Sequence, residues 1–351
     1  MINIISPINQ LGYGIAGFNI VANLPNVSLW PIGQIQITNE DDANVLRRCI
    51  KNAQMPDFNA PCVRIWHQND MSQFVGRGSK IGFPFFELDE FTQIEKHHLN
   101  SLDKLFVSSA WAKSVAENQL NLLSENIFVV PLGVNGKIFQ PSLGSSESTI
   151  FFNCGKWEIR KGHDILIEAF NKAFTPKDNV ELWMMCSNPF LNEMQSGEWA
   201  KLYQNSPLGS KIKLIGRKNT QEEVYSIMQQ TDCGVFPARA EGWNLELLEM
   251  MACGKQVITT NYSAHTEFCN SDNSYLIDIE AKESAYDGIW FHGQVGKWAT
   301  LGENQLDQLV YHMKHVHKLK QDKLLNLNRA GVETAHKFSW TNTAEMVKKY
   351  V

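Results

Sequence analysis

No run of about 18 apolar residues occurs in this chain, so no stretch reads as a membrane-spanning helix. The opening Met1-Ile-Asn-Ile-Ile-Ser is too short for a secretory signal. An excess of one charge is also lacking: 32 lysines and arginines face 37 aspartates and glutamates. The net charge of −5 offers no general attraction for nucleic acid or an anionic membrane, which argues against a nucleobase acceptor. The seven cysteines include no C-x-x-C pair. Cys62, Cys154, Cys186, Cys233 and Cys253 sit among apolar or small residues, as reduced core residues of a cytoplasmic protein would. There is no G-x-x-x-x-G-K-[ST] and no G-x-S-x-G, so ATPase and serine-hydrolase readings have no motif support. No D-x-D pair follows an apolar strand to hold a divalent metal on a diphosphate, and Asp278-Ile279-Glu280 reads as a surface turn. His312, His315 and His317 lie close on one helix without a cysteine or acidic ligand, so no metal site is expected.

What the chain does have is length and alternation. At 351 residues it exceeds the size at which one core keeps growing, so two domains are expected. Strands at residues 2–5, 62–66, 104–107 and 127–130 alternate with helices at 41–53, 87–100 and 110–120. A Pro/Gly/Ser-rich stretch, Pro141 to Ser148, reads as a linker. Strands at 150–154, 180–186, 212–215, 233–236 and 256–260 then alternate with helices, residues 288–302 read as irregular, and helices close the chain at 303–320, about 321–337 and 340–350. Strand-helix alternation of this kind predicts an α/β chain with parallel sheets in two domains, 1–140 and 148–337.

Three places carry chemistry. Gly12, Gly14 and Gly17 match G-x-G-x-x-G, but five residues separate them from the first strand and Val27 to Gly33 ends without an acid. A mobile glycine loop that lets a ligand approach is expected there, ahead of a nicotinamide site. Lys156, Arg160 and Lys161 lie between a strand end and a helix start, which suits a diphosphate, although such a cluster can also simply face water. The third place is the stretch from Cys233 to Gly254, which reads as strand, turn and short helix. Glu241 precedes the backbone N–H groups of Gly242, Trp243 and Asn244 at a helix start. Glu249 falls on an apolar helix face beside Leu245, Ala252 and Cys253 with no basic neighbour in the helix. It either caps a nearby backbone N–H or meets a bound hydroxyl or cation. His67 follows an apolar strand, where α/β sheets bind ligands.

Together these residues resemble the retaining glycosyltransferases of family four. The stretch from Glu241 to Glu249 has the E-x7-E spacing, and Met251-Ala252-Cys253-Gly254-Lys255-Gln256-Val257-Ile258 looks like its continuation. Phe106 to Trp111, Pro131 to Asn135 and Phe338-Ser339-Trp340 resemble further family motifs in the same order. The resemblance implies the GT-B architecture, two facing Rossmann-like domains, with the last helix, about 338–351, returning to the first. It implies that Glu241 holds donor-sugar hydroxyls, Glu249 the ribose hydroxyls, and Lys156 and Lys161 the diphosphate, with Arg160 of the same loop counted among the donor-binding residues. Gly14 would border the diphosphate, Gly242 to Leu245 would present N–H groups, and His67 would sit beside the transferred sugar. Glu246 and Asn244 depart from the usual residues at their positions.

The reading is a metal-independent, retaining glycosyltransferase that takes a nucleotide sugar, UDP- or GDP-linked first, to a glycan or other hydroxyl acceptor. It needs no cofactor. A nucleotide-sugar epimerase, an NAD-dependent oxidoreductase and a non-catalytic sugar-nucleotide-binding subunit are the alternatives.

Overall fold

The apolar run at the start of the chain becomes β1 (Ile2–Ser6), buried at all five positions, as suits a parallel strand covered on both faces. It lies between β2 (Val27–Pro31) and β3 (Cys62–Arg64). With β4 (Lys80–Gly82), β5 (Lys104–Val107) and β6 (Ile127–Val129) the sheet runs β2-β1-β3-β4-β5-β6, parallel throughout. Helices α1 (Gly12–Asn23), α2 (Glu40–Asn52), α3 (Gln93–Leu99) and α4 (Ala110–Gln119) make the connections, and Phe86, Phe91, Leu105, Val115 and Ile127 share one core cluster. The computed structural model describes residues 1–351 and divides them into two units, Met1–Val134 with Lys337–Val351, and Asn135–His336.

Two expectations change here. Gly14 and Gly17 lie inside α1, where a Cβ on Gly14 would run into Asn9 and one on Gly17 into Ser6 and Pro7. These glycines let the helix press against the exit of β1, so the stretch is a packed helix start and not a mobile loop. Helix α3 starts at Gln93, six residues later than its sequence suggests, because Thr92 and Glu95 form a reciprocal capping box. The residues before it form loop that delivers Phe86 and Phe91 to the core.

In the second unit β7 (Thr149–Gly155), β8 (Val180–Cys186), β9 (Ile212–Leu214), β10 (Cys233–Phe236), β11 (Gln256–Thr260) and β12 (Tyr275–Ile277) form a parallel sheet ordered β12-β11-β10-β7-β8-β9. Helices α5 (His163–Ala173), α6 (Glu193–Gln204), α7 (Gln221–Met228) and α8 (Leu245–Ala252) connect its strands. The stretch read as a linker packs onto this unit, where Ser142 N donates to Cys253 O at 3.0 Å. Part of the region read as irregular is an antiparallel hairpin, β13 (Lys282–Tyr286) with β14 (His292–Ala299). Helix α9 (Glu303–Gln321) follows. Helix α10 (Arg329–Lys337) begins late because Asn328 is committed to Lys255 O and Asn273 O through Nδ2 and to Gly331 N through Oδ1. Helix α11 (Trp340–Tyr350) belongs to the first unit, where Thr343 Oγ1 donates to Pro131 O at 2.8 Å and Lys104 Nζ to Tyr350 O at 2.7 Å. All seven cysteines are free, and no helix is long and apolar enough to cross a membrane.

In each sheet the strand order reverses once, between β1 and β3 in the first and between β7 and β10 in the second. Open parallel sheets bind ligands beyond the carboxyl ends of the strands at such a switch point.

Candidate functional site

At the second switch point β7 gives way to the Lys156–Gly162 loop and β10 to Pro237–Asn244. The first loop enters α5 through Gly162 at φ 71°, where a Cβ would run into the Pro237 carbonyl, so glycine lets the two loops close on each other. The closure brings charges together. Arg160, only 3% exposed, donates from Nη1 to Ala240 O at 2.7 Å and to Glu241 Oε2 at 2.8 Å, and from Nη2 to Glu158 Oε2 at 2.7 Å. Lys161 Nζ donates to Glu241 Oε1 at 2.8 Å, and Lys156 Nζ reaches Glu158 Oε1 at 2.8 Å while its side chain stays 38% exposed. Three cations against two carboxylates leave one positive charge in excess (3 − 2).

Burial alone would raise the Glu241 carboxyl, but Arg160 and Lys161 outweigh it and hold the group below the usual carboxylate range. Burial would likewise lower the Lys161 ammonium, and Glu241 with Glu246 holds it up. Both groups are therefore ionised at neutral pH. His163 fastens the loop from beneath. Its Nδ1 accepts from Glu158 N at 3.2 Å, and its Nε2 donates to Asn153 Oδ1 at 3.0 Å, because the Asn153 amide nitrogen is committed to Val235 O. Burial, then the Lys161 charge, pushes this imidazole down to about 3, so it stays neutral.

The turn into α8 is built around Asn244, whose φ of 84° lies in the left-handed region that asparagine tolerates. Its Oδ1 caps Leu247 N at 3.2 Å and its Nδ2 donates to His265 Nε2 at 3.0 Å. His265 contacts Thr260 O at 3.2 Å through Nδ1, and burial pushes its pKa down to about 4. Ser263 Oγ accepts from Glu241 N at 2.9 Å. The segment from Glu241 through Gly242 and Trp243 to Leu245 is therefore held at both ends, and every residue in it is buried.

Glu249 is of a different kind. It is 7% exposed, and its one side-chain hydrogen bond comes from Gln221 Nε2 at 3.5 Å, the outer limit for such a bond. Burial, then the nearby Glu246 charge, raises its carboxyl well above the usual range and so favours the protonated form. The apolar helix face expected from sequence is the observed one.

In the first unit Gly14 follows Tyr13 in α1, and the Tyr13 ring lies 4.7 Å from that of His67, which also meets Trp66 at 4.8 Å. His67 is exposed, just past β3. The structure thus groups Lys156, Arg160, Lys161, Glu241 and the start of α8 in the second unit, and Gly14 with His67 in the first. Arg160, expected on the diphosphate, instead turns inward as a brace between Glu158 and Glu241. His312 and His317 serve the fold, bonding to Leu276 O and Thr149 Oγ1. Sequence reasoning missed Glu158, His163, Ser263 and His265. Only Glu158 left a signal, as an acid among three cations.

Two parallel α/β sheets, each with its own switch point, are the GT-B architecture of glycosyltransferases. Residues 148–290, which contain the whole of this charged site, match the family described as glycosyl transferases group 1. An uncharacterized glycosyltransferase of Methanocaldococcus jannaschii is 26% identical over 257 residues, 72% of this chain and 60% of the relative. The MMP alpha-(1->4)-mannosyltransferase of Mycolicibacterium hassiacum is 24% identical over 190 residues, 52% of this chain and 43% of the relative. This chain thus spans less than two thirds of either protein. Among solved structures, Anabaena Alr3699/HepE in complex with UDP and glucose superposes with a TM-score of 0.69 at 14% identity, covering 99% of this chain and 98% of that one. These matches support sugar transfer as the chemistry.

Proposed function

We propose that this protein is a retaining glycosyltransferase that works without a metal ion and moves a sugar from a nucleotide-sugar donor to an acceptor hydroxyl. The observation that carries the reading is the contrast between Glu241 and Glu249. One is ionised and fixed between two cations; the other is buried, shifted toward its neutral form and nearly without partners. A fixed carboxylate orients the hydroxyls of a sugar, and a buried carboxyl short of partners is satisfied by the hydroxyl pair of a ribose. UDP- and GDP-sugars are the first donors to test, and UDP with glucose bound to a structural neighbour supports that choice.

As the bond from the anomeric carbon to the diphosphate oxygen breaks, its electron pair passes to the diphosphate. Lys156, Lys161 and the N–H groups of Gly242 to Leu245 at the start of α8 meet that charge. The acceptor hydroxyl forms its new bond on the face the diphosphate leaves, and its proton goes to the departing oxygen. No carboxylate is assigned to the far face of the sugar, which favours front-face attack over double displacement.

A thermal-shift screen with UDP-, GDP- and ADP-sugars tests the donor, since a ligand at a hundred times its Kd stabilises by about 2.7 kcal/mol. NMR of the sugar released by slow hydrolysis then reads the anomer. No stabilisation by any nucleotide sugar, or an inverted anomer, would overturn the proposal.

A further inference from the structure

The two loops of the charged site are laced by a pair of arginines, each reaching into the other's loop. Arg160, from the first, takes Ala240 O and Glu241 in the second. Arg239, from the second, answers it: its backbone N–H donates to Arg160 O at 2.7 Å and its Nη1 to Ile159 O at 2.7 Å. Nη1 and Nη2 also fork onto Asp164 in the first turn of α5, at 2.8 Å to each oxygen. Ile159 stands two residues before Lys161, and Arg239 two before Glu241. These bonds therefore fix the register in which Lys161 Nζ meets Glu241 Oε1. We propose that Arg239 is a positioning residue for the transfer reaction, held in place by the β13–β14 hairpin. The inference rests on the glycosyltransferase reading, in which Lys161 and Glu241 handle the donor.

The hairpin presents a matching surface. Glu283 and Trp298 face each other across β13 and β14, and Trp298 Nε1 donates to Glu283 Oε1 at 3.2 Å. Trp298 is buried, with the Phe291 ring 5.3 Å from its own. Both members of this cross-strand pair meet Arg239. Glu283 Oε1 lies 3.5 Å from its Nε, and the guanidinium carbon sits over the Trp298 ring, 5.9 Å from the centroid. Ala299 N then donates to Arg239 O at 2.9 Å, which ties the base of the hairpin to the loop backbone. Arg239 is buried, and its guanidinium is engaged by Asp164, Ile159 O and Glu283. It acts on a donor through Lys161 and Glu241, and a displacement of about 1 Å at a reacting group can cost about a hundredfold in rate.

Amine labelling of the full chain with acetic anhydride, read by mass spectrometry, tests this without any substrate. Lys161 is 11% exposed, and Lys320, 15% exposed and paired with Asp232 at 2.7 Å, is the control in the same unit. In Arg239→Ala, labelling of Lys161 should rise about tenfold or more while that of Lys320 stays at the wild-type level. Arg239→Lys should fall between the two, because a point charge cannot make the fork. Glu283→Ala should move Lys161 in the same direction by less. Hydrolysis of the sugar nucleotide that the thermal-shift screen selects should slow about tenfold or more in Arg239→Ala, with affinity for the matching nucleoside diphosphate within about threefold of wild type. Should Arg239→Ala fail to fold, Arg239→Lys decides by the same readings. Unchanged labelling of Lys161 in the Arg239 variants, an equal rise at Lys161 and Lys320, or hydrolysis at the wild-type rate overturns the inference. A response to Arg239→Ala with none to Glu283→Ala overturns the hairpin's part in it. A chain whose variants expose Lys161 but which, even as wild type, hydrolyses no sugar nucleotide would refute the donor reading and leave Arg239 as the residue that sets the Lys161–Glu241 pair.

Discussion

Lys161 Nζ and Glu241 Oε1 lie 2.8 Å apart across 80 residues of sequence, both side chains nearly out of water. The contact ties the exit of β7 to the exit of β10, and Arg160 holds the other oxygen of the same carboxylate. A charge cluster this deep in a fold is costly unless each member is paired. Here the pairing is complete for Glu241 and leaves Lys156 the most open of the three cations.

Lys161→Ala removes one of two partners from Glu241 and should cost about 1–3 kcal/mol of stability, less than the ~3–5 kcal/mol of a fully orphaned buried charge. If the ammonium acts on the leaving diphosphate, kcat should fall about 10²–10³-fold while nucleotide affinity changes far less. Measuring Tm, UDP affinity and kcat on this variant separates the two roles. A lower Tm with unchanged turnover would make Lys161 a brace alone, and a pure KM effect would mean that it only grips substrate.

Glu249 gives a pH signature. Burial raises its carboxyl well above the usual range in the fold, whereas it titrates near ~4.3 in the unfolded chain, so its contribution to stability is fully present below that pH. The contribution is lost as pH rises toward the folded value, by up to ~1.4 kcal/mol per unit. Glu249→Gln keeps the shape and has no proton to lose. The variant should therefore gain stability over the ligand-free wild type as pH rises above ~4.3, until the folded carboxyl ionises, read by denaturant unfolding. Glu249→Ala should weaken nucleotide binding by about 1–3 kcal/mol. Unchanged affinity for both nucleoside diphosphate and sugar nucleotide would refute the ribose role.

The long apolar strands β1, β7, β8, β10 and β11 were legible because burial on both faces demands continuous apolar residues. Strand β4 was not, since Lys80-Ile81-Gly82 is too short for any period to appear. Nor was β13, whose residues are exposed at four of five positions and carry no apolar alternation. In the site, Glu241 and Glu249 were legible as odd carboxylates on a short helix and the turn before it. The Arg160 brace was not, because an arginine bound for a buried carboxylate 81 residues away looks in sequence like one bound for a phosphate. Asn244 stood out by identity, and its positive φ gives the physical reason that a small or amide residue is needed there.

If Lys156, Lys161 and the start of α8 neutralise the diphosphate, EDTA should leave transfer intact under conditions that abolish a metal-dependent control enzyme. Loss of activity with chelator, restored by magnesium or manganese, would sink that part of the proposal.

His67 belongs to the first unit, whereas Glu249 and the cations Lys156 and Lys161, proposed to hold the ribose and the diphosphate, belong to the second. It is exposed, and it touches its surroundings through the rings of Tyr13 and Trp66. Removing an exposed ring leaves no cavity in the core, so His67→Ala should unfold within a few degrees of wild type. Nucleoside-diphosphate affinity should stay unchanged for the same spatial reason. Transfer, by contrast, should slow by about tenfold or more, the equivalent of ~1.4 kcal/mol lost from the transition state. Melting temperature, diphosphate affinity and initial rate measured on that one variant separate the possibilities. A fall in all three together would mark a structural histidine acting through the Tyr13 contact, and normal stability with normal turnover would remove His67 from the mechanism.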